Sequence, residues 1–148
     1  LGCRLLYTSR HPVADALGEW RTLDALLGEA DIVSLHLPLT EATAARIDAK
    51  AIARIKPGAI LINTARGGLV DQVALVDALR SGRFAAAGLD VFAHEPPDPA
   101  DALFALPNVV LTPHIAWLTT GTFDRSFVLA AENCRRLAAG GPLLHRVA

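Results

Sequence analysis

The sequence contains no methionine, not even at position 1, and its two cysteines, Cys3 and Cys134, lack the spacing of a metal site. No apolar run is long enough to predict a membrane span, and the N-terminus lacks the layout of a signal peptide. These absences favour a cytoplasmic protein whose two thiols are inert packing residues. Since the chain opens inside an apolar segment without a methionine, we expect it to be a piece of a longer protein.

An excess of one charge is also missing. The 14 basic and 15 acidic side chains give a net charge of −1, and the basic residues form no stripe, so nucleic-acid binding is not expected. The sequence shows no cluster of potential metal ligands, so a bound metal is not expected. The 148 residues, 52% of them hydrophobic, are enough for one domain with a real core.

Short apolar runs bounded by turn residues alternate with amphipathic segments along the chain. The runs lie at residues 4–8, 31–35, 59–62, 85–89 and 109–111, and the amphipathic segments at 23–27, 49–54 and 72–80. This alternation predicts an α/β fold made of βαβ units, with a mostly parallel sheet and helices on both faces. A longer helical pattern spans residues 119–139 and ends at a Gly-Gly-Pro sequence.

Polar side chains follow three of the predicted strands. Arg66 lies in a glycine-rich turn after the third strand, Asp90 ends the fourth with Glu95 close behind, and His114 follows the fifth. Each alone is explained by an ordinary polar loop. Because the carboxyl ends of parallel strands open on one edge, these residues could instead converge. An arginine fork beside a histidine oriented by a carboxylate suits a substrate whose carboxylate adjoins a carbonyl.

The residues in and around these turns resemble a known family. NTARGGLVD (63–71), GLDVFAHEPP (88–97) and LTPHIAW (111–117), preceded by ADIVSLHLPLTEAT (30–43), resemble the D-isomer-specific 2-hydroxyacid dehydrogenases in order and spacing. The resemblance implies that Arg66 binds the substrate carboxylate, that His114 exchanges a proton with the substrate oxygen, and that Glu95 keeps His114 protonated. It further implies that a set of residues lines the dinucleotide, namely Leu37, Pro38, Thr43, Thr64, Ala65, Arg66, Asp90 and His114.

One feature of that family is missing. Its members hold the cofactor pyrophosphate on a G-x-G-x-x-G turn, and no such turn occurs here. The resemblance therefore implies an incomplete Rossmann-like, doubly wound parallel sheet that lacks its first βα unit and is followed by a long C-terminal helix. Residues 1–117 would be a partial dinucleotide-binding domain. Residues 118–148 would return toward an absent substrate domain, and the full-length protein would be a homodimer.

The choice of cofactor is predicted from the turn after the first strand. NAD enzymes place an acidic residue there to bind the ribose 2′-hydroxyl, whereas NADP enzymes use an arginine for the 2′-phosphate. This chain has Ser9 and Arg10 at that turn. We therefore expect NADP(H) to be preferred, with NAD(H) still possible.

The predicted activity is the reduction of a small 2-keto acid, such as glyoxylate or hydroxypyruvate, to a D-2-hydroxy acid. Two alternatives stay open. Corepressors that sense dinucleotides share the fold and keep the same arginine, glutamate and histidine, and a chain without the glycine turn could be non-catalytic. The sequence does not choose the substrate, because the absent domain supplies most of the side-chain selectivity.

Overall fold

The computed structural model describes residues 2–14 and 16–146. In chain order its elements are β1 (Leu6–Tyr7), β2 (Glu19–Trp20), α1 (Leu23–Glu29), β3 (Ile32–Leu35), α2 (Ala49–Arg54), β4 (Ala59–Asn63), α3 (Gln72–Arg80), β5 (Phe84–Leu89), β6 (Val109–Leu111) and α4 (Thr120–Ala138). Short 3₁₀ helices occupy Gly67–Leu69 and Ala102–Ala105. Most predicted elements are present with small changes at their ends.

A parallel sheet of four strands, in the order β3-β4-β5-β6, forms the centre of the first of two compact units. The Rossmann-like α/β prediction is confirmed. The first predicted strand shrinks to β1, which pairs in parallel with β2 as a separate sheet. β2 was not predicted, because two residues are too few to show the alternation that marks a strand.

One face of the four-stranded sheet carries the core. Val33, Leu61 and Leu89 are buried there, and helix side chains such as Leu27 and Leu75 join the same cluster. Each helix packs against the next, α1 on α2 and α2 on α3. Sequential parallel strands joined by right-handed crossovers place their helices on one face of the sheet. The helices α1 to α3 therefore form one of the two helical layers of a doubly wound fold. On the other face Ile32 and Val110 are 57% and 70% exposed, so within this unit the described helices cover one face.

The first compact unit ends at His114 and the second begins at Ile115. α4 dominates the second unit and none of its residues is buried. At its start Trp117 meets Phe123 edge to face, with ring centroids 5.4 Å apart. At its end Asn133 donates to and accepts from the backbone of Leu144, which holds the following tail against the helix.

Cys3 and Cys134 are both exposed, so the expectation that they are packing residues is wrong. A thiol is small and only weakly polar, so its burial is not dictated by sequence alone. Among the described residues, no helix combines the length and the apolar character needed to cross a bilayer. The same residues contain no group of three or more histidine, cysteine or acidic side chains placed to hold a metal ion.

Candidate active site

The last residues of the four paired strands lie in one row. Leu35 is in register with Asn63, Asn63 with Leu89, and Leu89 with Leu111. Neighbouring strands are about 4.8 Å apart. The turns that follow therefore leave the sheet from a single edge, at intervals of one strand width, as the sequence predicted.

His114 and Glu95 meet at this edge. The Nδ1 atom of His114 lies 2.8 Å from Oε2 of Glu95, and the two side chains are 40% and 38% exposed. The other carboxylate oxygen, Oε1, accepts from the backbone N–H of Phe92 at 3.0 Å. Both oxygens of Glu95 thus have donors, which fixes the carboxylate to the loop after β5 and orients the imidazole.

The Phe92 N–H lowers the pKa of the Glu95 carboxyl below its ordinary value of 4.5, and the bond to His114 lowers it further against a small opposing effect of desolvation. An ionised carboxylate only accepts hydrogen bonds, so Nδ1 of His114 carries a proton. Nε2 is then the ring nitrogen that Glu95 does not occupy. This arrangement is that of an oriented general acid–base.

Arg66 projects from the neighbouring turn, directly before the 3₁₀ helix Gly67–Leu69. Its side chain is exposed and Nη1 donates to the carbonyl of Ala65 at 2.6 Å. The guanidinium is close enough to Glu95 to help lower the pKa of that carboxyl. A planar cation therefore lies near enough to Glu95 to act on it electrostatically.

Asp90 differs from Arg66, Glu95 and His114 because its side chain is buried. It is 3% exposed, and Thr112 Oγ1 donates to its Oδ1 at 2.5 Å. A buried carboxylate requires such donors. Asp90 is therefore a fixed acceptor beneath the edge, between the strand ends that carry Arg66 and His114.

Four of the remaining predicted residues lie on the same edge of the four-stranded sheet. Leu37 and Pro38 follow β3, and the Thr43 hydroxyl donates to the Pro38 carbonyl at 2.7 Å. Thr64 and Ala65 follow β4. Ser9 and Arg10 follow β1 in the separate two-stranded sheet, where both are exposed and the Ser9 hydroxyl donates to the His11 carbonyl at 2.5 Å.

Three residues with evident roles at the site were missing from the predicted set. Asn63 holds the Arg66 turn, the Phe92 N–H holds Glu95, and Thr112 holds Asp90. Only Asn63 gave a signal in the sequence, since a lone amide closes an otherwise apolar run. A backbone donor such as that of Phe92 leaves no mark in a sequence.

The relative size of the two hydrogen-bond effects on the Glu95 pKa gives a testable prediction. Because the Phe92 N–H is the largest cause, the Glu95 pKa should stay below 4.5 in His114→Ala, although closer to it than in the wild type. Because the pKa of Glu95 is lower in the folded state than in the unfolded state, its ionised carboxylate contributes to the free energy of unfolding above its ordinary pKa. This contribution is lost as the pH falls through the lower pKa of the folded state. The measurement is a ¹³C-carboxyl NMR titration.

The matched control is His94→Ala, which removes another imidazole from the same loop and should leave the Glu95 titration unchanged. If Glu95 titrates at its ordinary value once His114 is removed, the backbone bond does not stabilise the carboxylate.

The model of the D-isomer specific 2-hydroxyacid dehydrogenase NAD binding domain matches residues 1–116. Among curated relatives, D-3-phosphoglycerate dehydrogenase of Mycobacterium leprae is 52% identical over 122 residues, which are 82% of this chain and 23% of that protein. Glyoxylate reductase of Aeropyrum pernix is 48% identical over 143 residues, 94% of this chain and 43% of that protein. The chain thus spans less than half the length of these relatives.

Solved structures agree. D-lactate dehydrogenase with NAD+ from Lactobacillus jensenii superposes with a TM-score of 0.92 at 37% identity, over 99% of this chain and 49% of that one. A D-isomer specific 2-hydroxyacid dehydrogenase from Xanthobacter autotrophicus Py2, solved with NADPH and MES, gives 0.82 at 38% identity, over 97% and 60%. Since the family model spans most of the sequence, the chain belongs to the D-isomer specific 2-hydroxyacid dehydrogenase family, within its NAD-binding domain.

Proposed function

We propose that the full-length protein transfers a hydride between NAD(P)H and a small 2-keto acid, giving a D-2-hydroxy acid. The observation that carries this proposal is the Glu95–His114 pair, 2.8 Å apart, beside Arg66 at one edge of the sheet. Family membership supports the reaction class. The chain spans less than half of its curated relatives, so the activity is proposed for the longer protein.

Arg66 is the proposed anchor for the substrate. Its guanidinium offers parallel N–H donors whose spacing matches a carboxylate, and it projects from a turn bordered by Gly67 and Gly68, which add no side-chain bulk. A 2-keto acid held in this way has its carbonyl next to the anchored carboxylate. We propose that the carbonyl oxygen faces the end of β6, where His114 is located.

His114 is the proposed proton donor. In reduction, the Nε2–H bond breaks and the proton goes to the carbonyl oxygen; a bound NAD(P)H would supply the hydride to the carbonyl carbon. Glu95 accepts a hydrogen bond from Nδ1 of His114 and so orients the imidazole while Nε2 gives up its proton. In oxidation the same nitrogen takes the proton from the hydroxyl group.

The residues at the edge suit a dinucleotide. Leu37, Pro38, Thr64 and Ala65 offer small or apolar surface and backbone groups, and the fixed Asp90 carboxylate can accept from a carboxamide N–H₂. Solved relatives include complexes with NAD+ and with NADPH. We propose that NADPH is preferred, because Arg10 is exposed at the end of β1 and Ser9 can exchange its bond to His11 for one to a phosphate.

We further propose that residues 1–117 form part of the cofactor domain and that residues 118–148 return to another domain of a cytoplasmic homodimer. Exposed apolar side chains on α4, among them Phe127 and Leu137, support a packing partner for that helix. Glyoxylate or hydroxypyruvate is the proposed substrate class. The glyoxylate reductase of Aeropyrum pernix supports it, since that match covers 94% of this chain.

Carboxylate binding is tested by Arg66→Lys in the full-length enzyme. Lysine keeps the charge but loses the bidentate fork, so kcat/KM for glyoxylate should fall by about 30- to 1,000-fold, which corresponds to roughly 2–4 kcal/mol of transition-state stabilisation. The assay follows glyoxylate reduction at saturating cofactor. Arg80→Lys, an exposed change at the end of α3, is the matched control and should have no effect. A loss below tenfold would contradict the role of Arg66.

Cofactor choice is tested by Ser9→Asp. A carboxylate at this position repels a 2′-phosphate and accepts from a 2′-hydroxyl, so the ratio of kcat/KM with NADH to that with NADPH should rise. Ser81→Asp adds the same charge at an exposed site after α3 and should leave the ratio unchanged. A wild-type enzyme that already prefers NADH would show that this turn does not bind a 2′-phosphate.

A further inference from the structure

Asn63 is a buried amide at the end of β4, only 1% exposed. Its Nδ2 donates to the Arg66 carbonyl at 2.9 Å and its Oδ1 accepts from the Ala65 N–H at 3.1 Å. Buried polar groups need such partners, and here both belong to the turn that carries Arg66. The amide thus fixes the backbone on both sides of the Ala65–Arg66 peptide.

The same turn is fixed to the loop that carries Glu95. The Asp90 N–H donates to the backbone carbonyl of Asn63 at 2.9 Å. A Cβ added to Gly67 would overlap the Phe92 carbonyl, so the two backbones are in direct contact there. Phe92 in turn donates to Glu95. The position of the Arg66 turn is therefore tied to the position of the Glu95–His114 pair through backbone groups.

We propose that Asn63 is a positioning residue that sets where Arg66 holds the substrate carboxylate relative to His114. This inference rests on the proposed function, since it assumes that Arg66 binds the carboxylate. Asn63 itself need touch neither substrate nor cofactor. Its effect follows from geometry, because a misplacement of about 1 Å can cost on the order of 100-fold in rate.

The chemistry at this position is specific to an amide. Aspartate has the same shape but no donor, so it would set a carboxylate oxygen against the Arg66 carbonyl. Alanine would leave both the Ala65 N–H and the Arg66 carbonyl without this partner. Both changes should let the Ala65–Arg66 peptide shift relative to Gly67, while the contact of Gly67 with Phe92 and the Glu95–His114 bond stay in place.

The test compares Asn63→Asp with wild type in the full-length enzyme. The KM for glyoxylate and the Ki of oxamate, a non-reducible carboxylate analogue, should both rise roughly 10- to 100-fold. The KM for the cofactor should rise by a smaller factor, because Thr64 and Ala65 in this turn are only part of the set proposed to line the dinucleotide, and the pH at which reduction declines should not move. Loss of folded protein alone would lower kcat and leave KM and Ki unchanged.

Asn108→Asp is the matched control, because the Asn108 amide also donates to a backbone carbonyl, that of Leu79 at 3.2 Å, away from the strand-end row. Asn63→Ala is the second variant and should give the same pattern. If Asn63→Asp behaves like the control, or if neither Asn63 variant folds, the inference is overturned. Arg66→Lys in the same assay separates the two proposals. Full activity of that variant would contradict the proposed function rather than the role of Asn63.

Discussion

Register in the parallel sheet is the constraint on which the rest of the site depends. Leu35, Asn63, Leu89 and Leu111 end four strands in one row, so each following turn begins at the same edge. A shift of one residue in any strand would move its turn and point its side chains to the opposite face. The buried face supplied by these strands and by α1 to α3 resists such a shift. Core packing therefore fixes the site indirectly, through the strand ends.

The ionic contacts at this edge of the sheet orient the side chains more than they stabilise the fold. Glu95 and His114 are each about two fifths exposed, and ion pairs in water of this kind contribute little to folding. The Phe92 N–H holds the carboxylate whether or not His114 is charged, so the pair is oriented before a substrate arrives. Arg66 lies near enough to Glu95 to lower the pKa of that carboxyl, although less than the Phe92 N–H does. The Glu95 carboxylate thus links the turn that carries Arg66 to the loop that carries His114.

The sequence predicted the features that depend on the pattern of apolar and polar residues. It missed the contacts that depend on backbone geometry. Short apolar runs predicted β3 to β6, and the sequence pattern predicted that Arg66, Asp90 and His114 lie at or after the ends of these strands. β2 has only two residues and therefore showed no alternation. The Phe92 N–H and the contact of Gly67 with the Phe92 carbonyl arise between turns that are distant in sequence. Exposure of Cys3 and Cys134 was likewise decided by packing that a local pattern does not record.

The central claim is that Glu95 orients His114 at the edge of the sheet where we propose that Arg66 holds the substrate. The most direct test is kcat for keto-acid reduction by the full-length enzyme, in wild type and in Glu95→Gln. The glutamine amide has one acceptor oxygen and cannot accept from both the Phe92 N–H and His114, so kcat should fall by roughly 10- to 100-fold as the imidazole loses its fixed position. Asp98→Asn removes a charge from the same loop and should leave kcat unchanged. An unchanged kcat in Glu95→Gln would contradict the account.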